Sequence, residues 1–206
     1  MKTKINLNYV PLAMAATFAL LAFVVPPPAS KFKVDTKAST LTWVGKKITG
    51  QHAGAVPISA GELVSDGKLL KEGSFEIDLN ALTVTDIADR DGNAKLVGHL
   101  KSDDFFGTTK FPQATFVISS VTPKSGNDFT VKGKLTIKGK TNEIEFPATI
   151  VHDSKKLTAT AKIVVDRTKF DIRYGSKSFF DNLGDKAIYD DFELDLKLVA
   201  ALQTGA

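Results

Sequence analysis

Along most of the chain, apolar and polar residues alternate one for one, the period of a strand with one dry face and one wet face. Phe75, Ile77, Leu79 and Ala81 alternate with Ser74, Glu76, Asp78 and Asn80. Phe129, Val131, Gly133, Leu135 and Ile137 alternate with Thr130, Lys132, Lys134, Thr136 and Lys138. Phe192, Leu194, Leu196 and Leu198 alternate with Asp191, Glu193, Asp195 and Lys197. The same rhythm predicts strands over 40–46, 115–121, 143–151 and 157–165, parted by the turn-forming pieces 123–127 (PKSGN) and 139–142 (GKTN). Seven or eight such antiparallel strands can bury their dry faces by closing into a barrel or by pairing two sheets. Two stretches break the pattern. Residues 91–106 suit a short helix with Leu96, Val97 and Leu100 on one side, and 173–190 reads as a loop rich in aromatics and glycine. Both are expected at the mouth of the barrel.

The inward parity includes Gly45, Gly133, Ala148, Ala159, Ala161 and Ala200. In an eight-stranded barrel such small residues leave a lumen wide enough for one ligand, and in a solid core they mark places where strands bend and pack closely. The pattern alone supports either.

The first 30 residues read differently. Lys2 and Lys4 precede an uncharged, mostly apolar run from Val10 to Val25, followed by prolines and then Ala29 and Ser30. That is the layout of a secretory signal, and the run falls short of the roughly 20 apolar residues a bilayer span needs. The predicted organisation is a signal peptide over 1–30, a β-barrel domain over 31–200 and a tail over 201–206, with export across the inner membrane to a periplasm. The chain has 27 basic and 23 acidic residues, a surplus of +4. Removing the two signal lysines halves that surplus, and no basic patch suited to nucleic acid remains. With no cysteine anywhere, disulfides, thiolate metal sites, a cysteine nucleophile and a lipoprotein anchor are all excluded.

The stretch 98–106 (GHLKSDDFF), followed by 111–116 (FPQATF), resembles the signature of the YceI-like family of exported polyisoprenoid-binding proteins. The likeness extends to 50–54 (GQHAG), 133–141 (GKLTIKGKT) and 165–170 (VDRTKF), in order across roughly residues 34 to 199. The segment 41–47 (LTWVGKK) departs from the His- or Phe-rich first hairpin of many relatives. The resemblance implies a lipocalin-like antiparallel β-barrel of about eight strands with one short helix. Its lumen would hold an isoprenoid or other long-chain lipid, with no further cofactor. Membrane contact and a homodimer are compatible with that reading.

A lipid tail needs continuous apolar surface, so the inward residues themselves are the candidate site. They are Trp43, Phe75, Ile77, Phe116, Ile118, Phe129, Leu135, Phe146, Ile163 and Phe192, with Ala159 and Ala161 supplying room. Burying ten to fifteen carbons gives on the order of 8–12 kcal/mol gross. Association costs of about 4–15 kcal/mol offset much of this, so a short terpene should bind poorly. His52, His99 and Arg167 are candidates for the mouth or the head group, with an ion pair from Arg167 to Asp166 or Asp190–Asp191 favoured over a ligand clamp. His152, beside Asp153 in a turn, is expected to be solvated.

The three histidines lie in separate segments without the spacing of a metal site. The segment 133–141 mimics a phosphate loop with one residue too many, and 86–93 mimics a calcium loop with Ile87 at the first ligand position. No Ser, His and acid triplet stands in a nucleophile-elbow context, so an enzyme is not expected. The alternative to a lipid carrier is a packed-barrel interaction or stress-response module at the cell envelope, contacting its partner through the 170–189 loop.

Overall fold

The computed structural model describes residues 29–66 and 69–203. The predicted signal peptide lies outside these residues, apart from Ala29 and Ser30. Eleven strands and one α-helix are formed: β1 (Ser30–Val34), β2 (Thr40–Lys47), β3 (Gly50–Ala55), β4 (Ile58–Ser65), β5 (Leu70–Asp78), β6 (Thr83–Val84), α1 (Arg90–Lys101), β7 (Gln113–Ser125), β8 (Asp128–Ile137), β9 (Lys140–His152), β10 (Lys156–Asp166) and β11 (Ile188–Leu202).

Eight strands in the order β1-β4-β5-β7-β8-β9-β10-β11 close into an antiparallel barrel through the pairing of β1 with β11. The seam is fixed by Phe32 opposite Leu202 and Val34 opposite Ala200. Ala201 and Leu202, beyond the predicted domain limit at 200, therefore belong to the wall. Outside, charged residues pair across strands, as in Lys31–Glu62, Lys132–Glu143 and Lys162–Asp195. Inside, the alternating apolar residues face one axis, as the period-two pattern requires.

The first hairpin is broken where the sequence gives no clean alternation. β2 also pairs with β11, so β1 and β2 act as one wall strand interrupted at 35–39. Ser39 fills the break. Its hydroxyl donates to the Val199 carbonyl (3.3 Å) and accepts from the Val199 amide (3.0 Å), replacing a lost ladder rung. β3 and β4 are likewise parted at Pro57, which has no N–H to give. β3 pairs on one side with β2 and on the other with β6.

Three predicted boundaries shift. The strand expected through Ala81 ends at Asp78, whose carboxylate caps a 3-10 turn over Leu79–Ala81 by accepting from the Asn80 amide. The turns at 123–127 and 139–142 are tighter than expected because the strands run into them. Left-handed Gly126 sits between β7 and β8, and left-handed Lys138 and Gly139 between β8 and β9. Two segments close the upper end as predicted: the stretch from Leu79 to Pro112, which includes α1, and the loop after β10 up to β11, whose last predicted loop residues, Ile188–Asp190, are already strand.

Candidate functional site

The barrel is hollow. Its interior holds two apolar chambers, one of about 100 Å³ and one of about 80 Å³. A cavity needs roughly 10–15 Å³ to admit one water-sized group, so each chamber has room for several. The chambers share Leu41, Ile77, Leu135 and Leu194 in their walls, so they stack end to end. The upper chamber lies beneath the caps and takes in Leu100, Phe105 and Ile172 from them. The lower chamber is walled wholly by apolar side chains of the strands, including Phe75, Phe116, Phe146 and Ile150.

Several wall residues, among them Phe75, Ile77, Ile144, Phe192, Leu194 and Leu196, point inward yet are only half-buried. They border space instead of partners. Below the lower chamber the barrel closes on the fully buried Phe32, Leu63 and Leu157.

Of the twelve residues predicted to line a lumen, eleven stand on these walls. Trp43 and Phe192 face the upper chamber, and Phe75, Phe116, Ile118, Phe146, Ala159, Ala161 and Ile163 the lower, while Ile77 and Leu135 touch both. Phe129 does not. Opposite Pro123 and Ala148, it lines a shallow outer depression with Lys124 and Thr149 instead. Ile58, Leu63 and Leu70 also line the lower chamber, from a stretch whose sequence shows no clean alternation, and Leu41, which shares the inward parity of Trp43, lines both chambers.

The small inward residues divide. Gly45, Ala148, Ala159 and Ala161 border the chambers. Gly133 does not make room for a ligand, since a Cβ there would lie 2.4 Å from the Phe116 ring, which occupies that space. Ala200 is fully buried away from both chambers.

The polar candidates do not converge. Arg167 reaches the upper chamber, only 4 % exposed. Its Nε donates to the Tyr189 carbonyl (3.0 Å), Nη1 to that of Ile172 (2.8 Å) and Nη2 to that of Ile188 (3.1 Å). The expected ion pair forms with Asp190 at 3.4 Å. Burial pushes the guanidinium below its ordinary pKa, against the opposing pull of Asp190 and Asp166. Its donors thus hold the cap loop to the wall, and it lies 5.8 Å over the Phe105 ring.

His52 shares a face of the β2–β3 ladder with Gly45. Its Nδ1 is 2.9 Å from Asp86, which also accepts from the Ala53 amide. Burial alone would raise the Asp86 pKa, yet the Ala53 and His52 hydrogen bonds hold it below its ordinary value. The pair fastens the strand following the Leu79–Ala81 turn.

His99 packs edge-on to Tyr174 (4.5 Å) and Phe105 (5.1 Å), joining the two caps, and its Nε2 is buried without a partner. His152 is not solvated as expected. Its Nε2 is also buried and unpartnered, and its ring packs edge-on to Phe32 at 5.3 Å because β9 runs on to include it. Among the described residues no three potential metal ligands cluster, and no helix is long and apolar enough to cross a membrane.

Comparison with known proteins fits this architecture. The UPF0312 protein of Shewanella denitrificans is 33% identical over 96 residues, 46% of this chain, and the chain spans about half of that relative's length, 47%. Protein YceI of Shigella flexneri is 32% identical over 67% of this chain and 71% of its own length. BcnA of Burkholderia cenocepacia superposes with a TM-score of 0.65 at 26% identity, covering 81% of this chain and 98% of that one. A domain from Saccharophagus degradans, described as polyisoprenoid-binding and implicated in plant cell wall breakdown, shares the fold with a TM-score of 0.63 at 17% identity, over 84% and 98% of the two chains. The YceI-like domain matches residues 32–200, nearly the whole described barrel, and the chain belongs to the YceI-like family.

Proposed function

We propose that the barrel holds the apolar tail of a long isoprenoid or similar amphiphile, sequestering or carrying it in the cell envelope after export. The observation that carries this reading is the pair of stacked chambers, whose walls offer a tail continuous oily surface and almost no hydrogen-bonding groups. An alkyl or prenyl chain gains about 0.8 kcal/mol for each carbon it hides there. Both chambers are needed for that gain to exceed the cost of immobilising a flexible chain. The likeness of fold to the S. degradans domain supports an isoprenoid over an unrelated apolar ligand. Arg167 is the one cation on either chamber wall, and it is engaged by three carbonyls and Asp190. In this reading binding rests on the tail.

Extraction of the purified protein into organic solvent, followed by mass spectrometry, is expected to release a long-chain lipid. Protein that releases none, and that takes up no fluorescent prenyl probe, is not a lipid container. A second reading draws on the exposed Tyr174, Phe179 and Phe180 of the cap loop and Tyr189 at the start of β11, which suit contact with a partner. Capture of one partner regardless of lipid load would favour it.

A further inference from the structure

The caps hide the upper end of the barrel, which raises the question of how a tail reaches the chambers. We infer that it is loaded sideways, through the wall between β2 and β11, with Gly45 as the gate. This inference rests on the reading of the barrel as a lipid container.

Three observations converge on that place. First, the ladder between β2 and β11 is disrupted there: Ile188 pairs with Lys47 and Phe192 with Gly45, so Tyr189, Asp190 and Asp191 face a single residue, Lys46. A bulge of this kind interrupts the ladder and bends the strand, and the Ile188 and Tyr189 carbonyls there accept from Arg167. Second, Tyr189 and Asp191 both border the upper chamber and are exposed to solvent. Every other wall residue of the two chambers is buried or half-buried, those of the caps included. The chamber therefore meets the surface at the bulge. Third, Gly45 leaves that passage clear. A Cβ built there meets nothing nearer than the Trp43 ring at 3.9 Å, and its backbone is not left-handed. The glycine is required by neither turn nor packing, and what its missing side chain provides is space.

The surroundings suit a greasy tail passing through. Tyr189 (56 % exposed) and Ile48 (44 % exposed) present apolar surface on the outside, and Ile48 is held there by the hydrogen bond its amide donates to the Ala187 carbonyl (3.2 Å). The Lys46–Glu193 pair bridges the two strands next to the bulge. A second discontinuity, where β10 pairs with β9 only from Leu157 to Ala161, is covered. Asn142 ties β9 to the Lys169 carbonyl, and the flanking Phe170 is fully buried.

The test is the rate at which lipid-stripped protein takes up a fluorescent polyprenyl alcohol, followed by stopped flow. Gly45→Phe is expected to slow uptake about tenfold or more. Lys47→Cys/Ile188→Cys places the chain's only two thiols on directly paired residues above the bulge, within disulfide reach of one another. Oxidised, this variant is expected to load about tenfold more slowly than the same protein after reduction, because the wall can no longer part there. The staple adds no bulk inside, which separates a gate from a filled chamber. Wild-type rates in both variants overturn the inference and put loading elsewhere, such as the β9–β10 seam. Wild-type protein that takes up no probe overturns the container reading and the gate with it.

Discussion

Glycines at two inward positions, alike in the sequence, have opposite uses. Gly133 is the cost of seating the Phe116 ring, whereas Gly45 opens onto the upper chamber. Parity told which way both face. It could not tell whether a neighbour fills the space, since that neighbour comes from another strand. Arg167 illustrates the same limit: its pairing with an acid was legible, but the three carbonyls it also binds, of Ile172 in the cap loop and of Ile188 and Tyr189 at the bulged start of β11, are placed by no local pattern. Arg167→Met should cost about 2–4 kcal/mol in urea unfolding, because it strands those buried acceptors. Arg167→Lys should recover less than half of this, since a single ammonium cannot replace the planar fork. Asp86 gives a pH signature. Its carboxyl is held below the ordinary value of 3.8 in the folded chain, so its stabilising contribution is full above that value and fades as pH falls through the depressed folded pKa. Thermal melts at descending pH should show a shallower acid loss in Asp86→Asn than in the parent chain.

At the level of elements, long strands with clean alternation were readable, and β7 to β11 lie where the pattern predicted them, with longer ends. The first hairpin was not. β3 and β4 carry glycines and are parted at Pro57, and β1 has only five residues, so their register comes from the strands they pair with and not from their own composition. Ser39 shows how the break between β1 and β2 is tolerated: one hydroxyl satisfies both the amide and the carbonyl of Val199. Ser39→Ala should leave the half-buried Val199 amide unsatisfied, the carbonyl keeping the Asp35 amide (2.8 Å), and lower stability by about 1 kcal/mol in denaturant titrations. The helix was expected over 91–106 and forms over Arg90–Lys101, with Asp89 accepting from the Gly92 amide at its N-terminus. It ends early because 102–106 turn back to press Phe105 against His99 and Tyr174.

For the molecule as a whole, the decisive feature is that the core leaves two apolar chambers along its axis. Replacing Ala159 and Ala161 together by Phe would fill the lower chamber from one wall strand. Affinity for a long prenyl probe should fall at least about tenfold with the β-rich circular dichroism spectrum unchanged. An equal affinity in a folded double variant would remove that chamber from the site. Alternation of apolar and polar residues by itself determined that this chain forms antiparallel strands with one dry face, and which side chains those faces carry, because side-chain direction in a strand is fixed by local geometry. The tertiary structure alone decided whether the dry faces meet or stand apart. That depends on how many strands close the ring, where bulges bend them and which segments roof the end, all relations between residues far apart in the chain. The chambers, the carbonyl cage around Arg167 and the gap beside Gly45 are products of that closure.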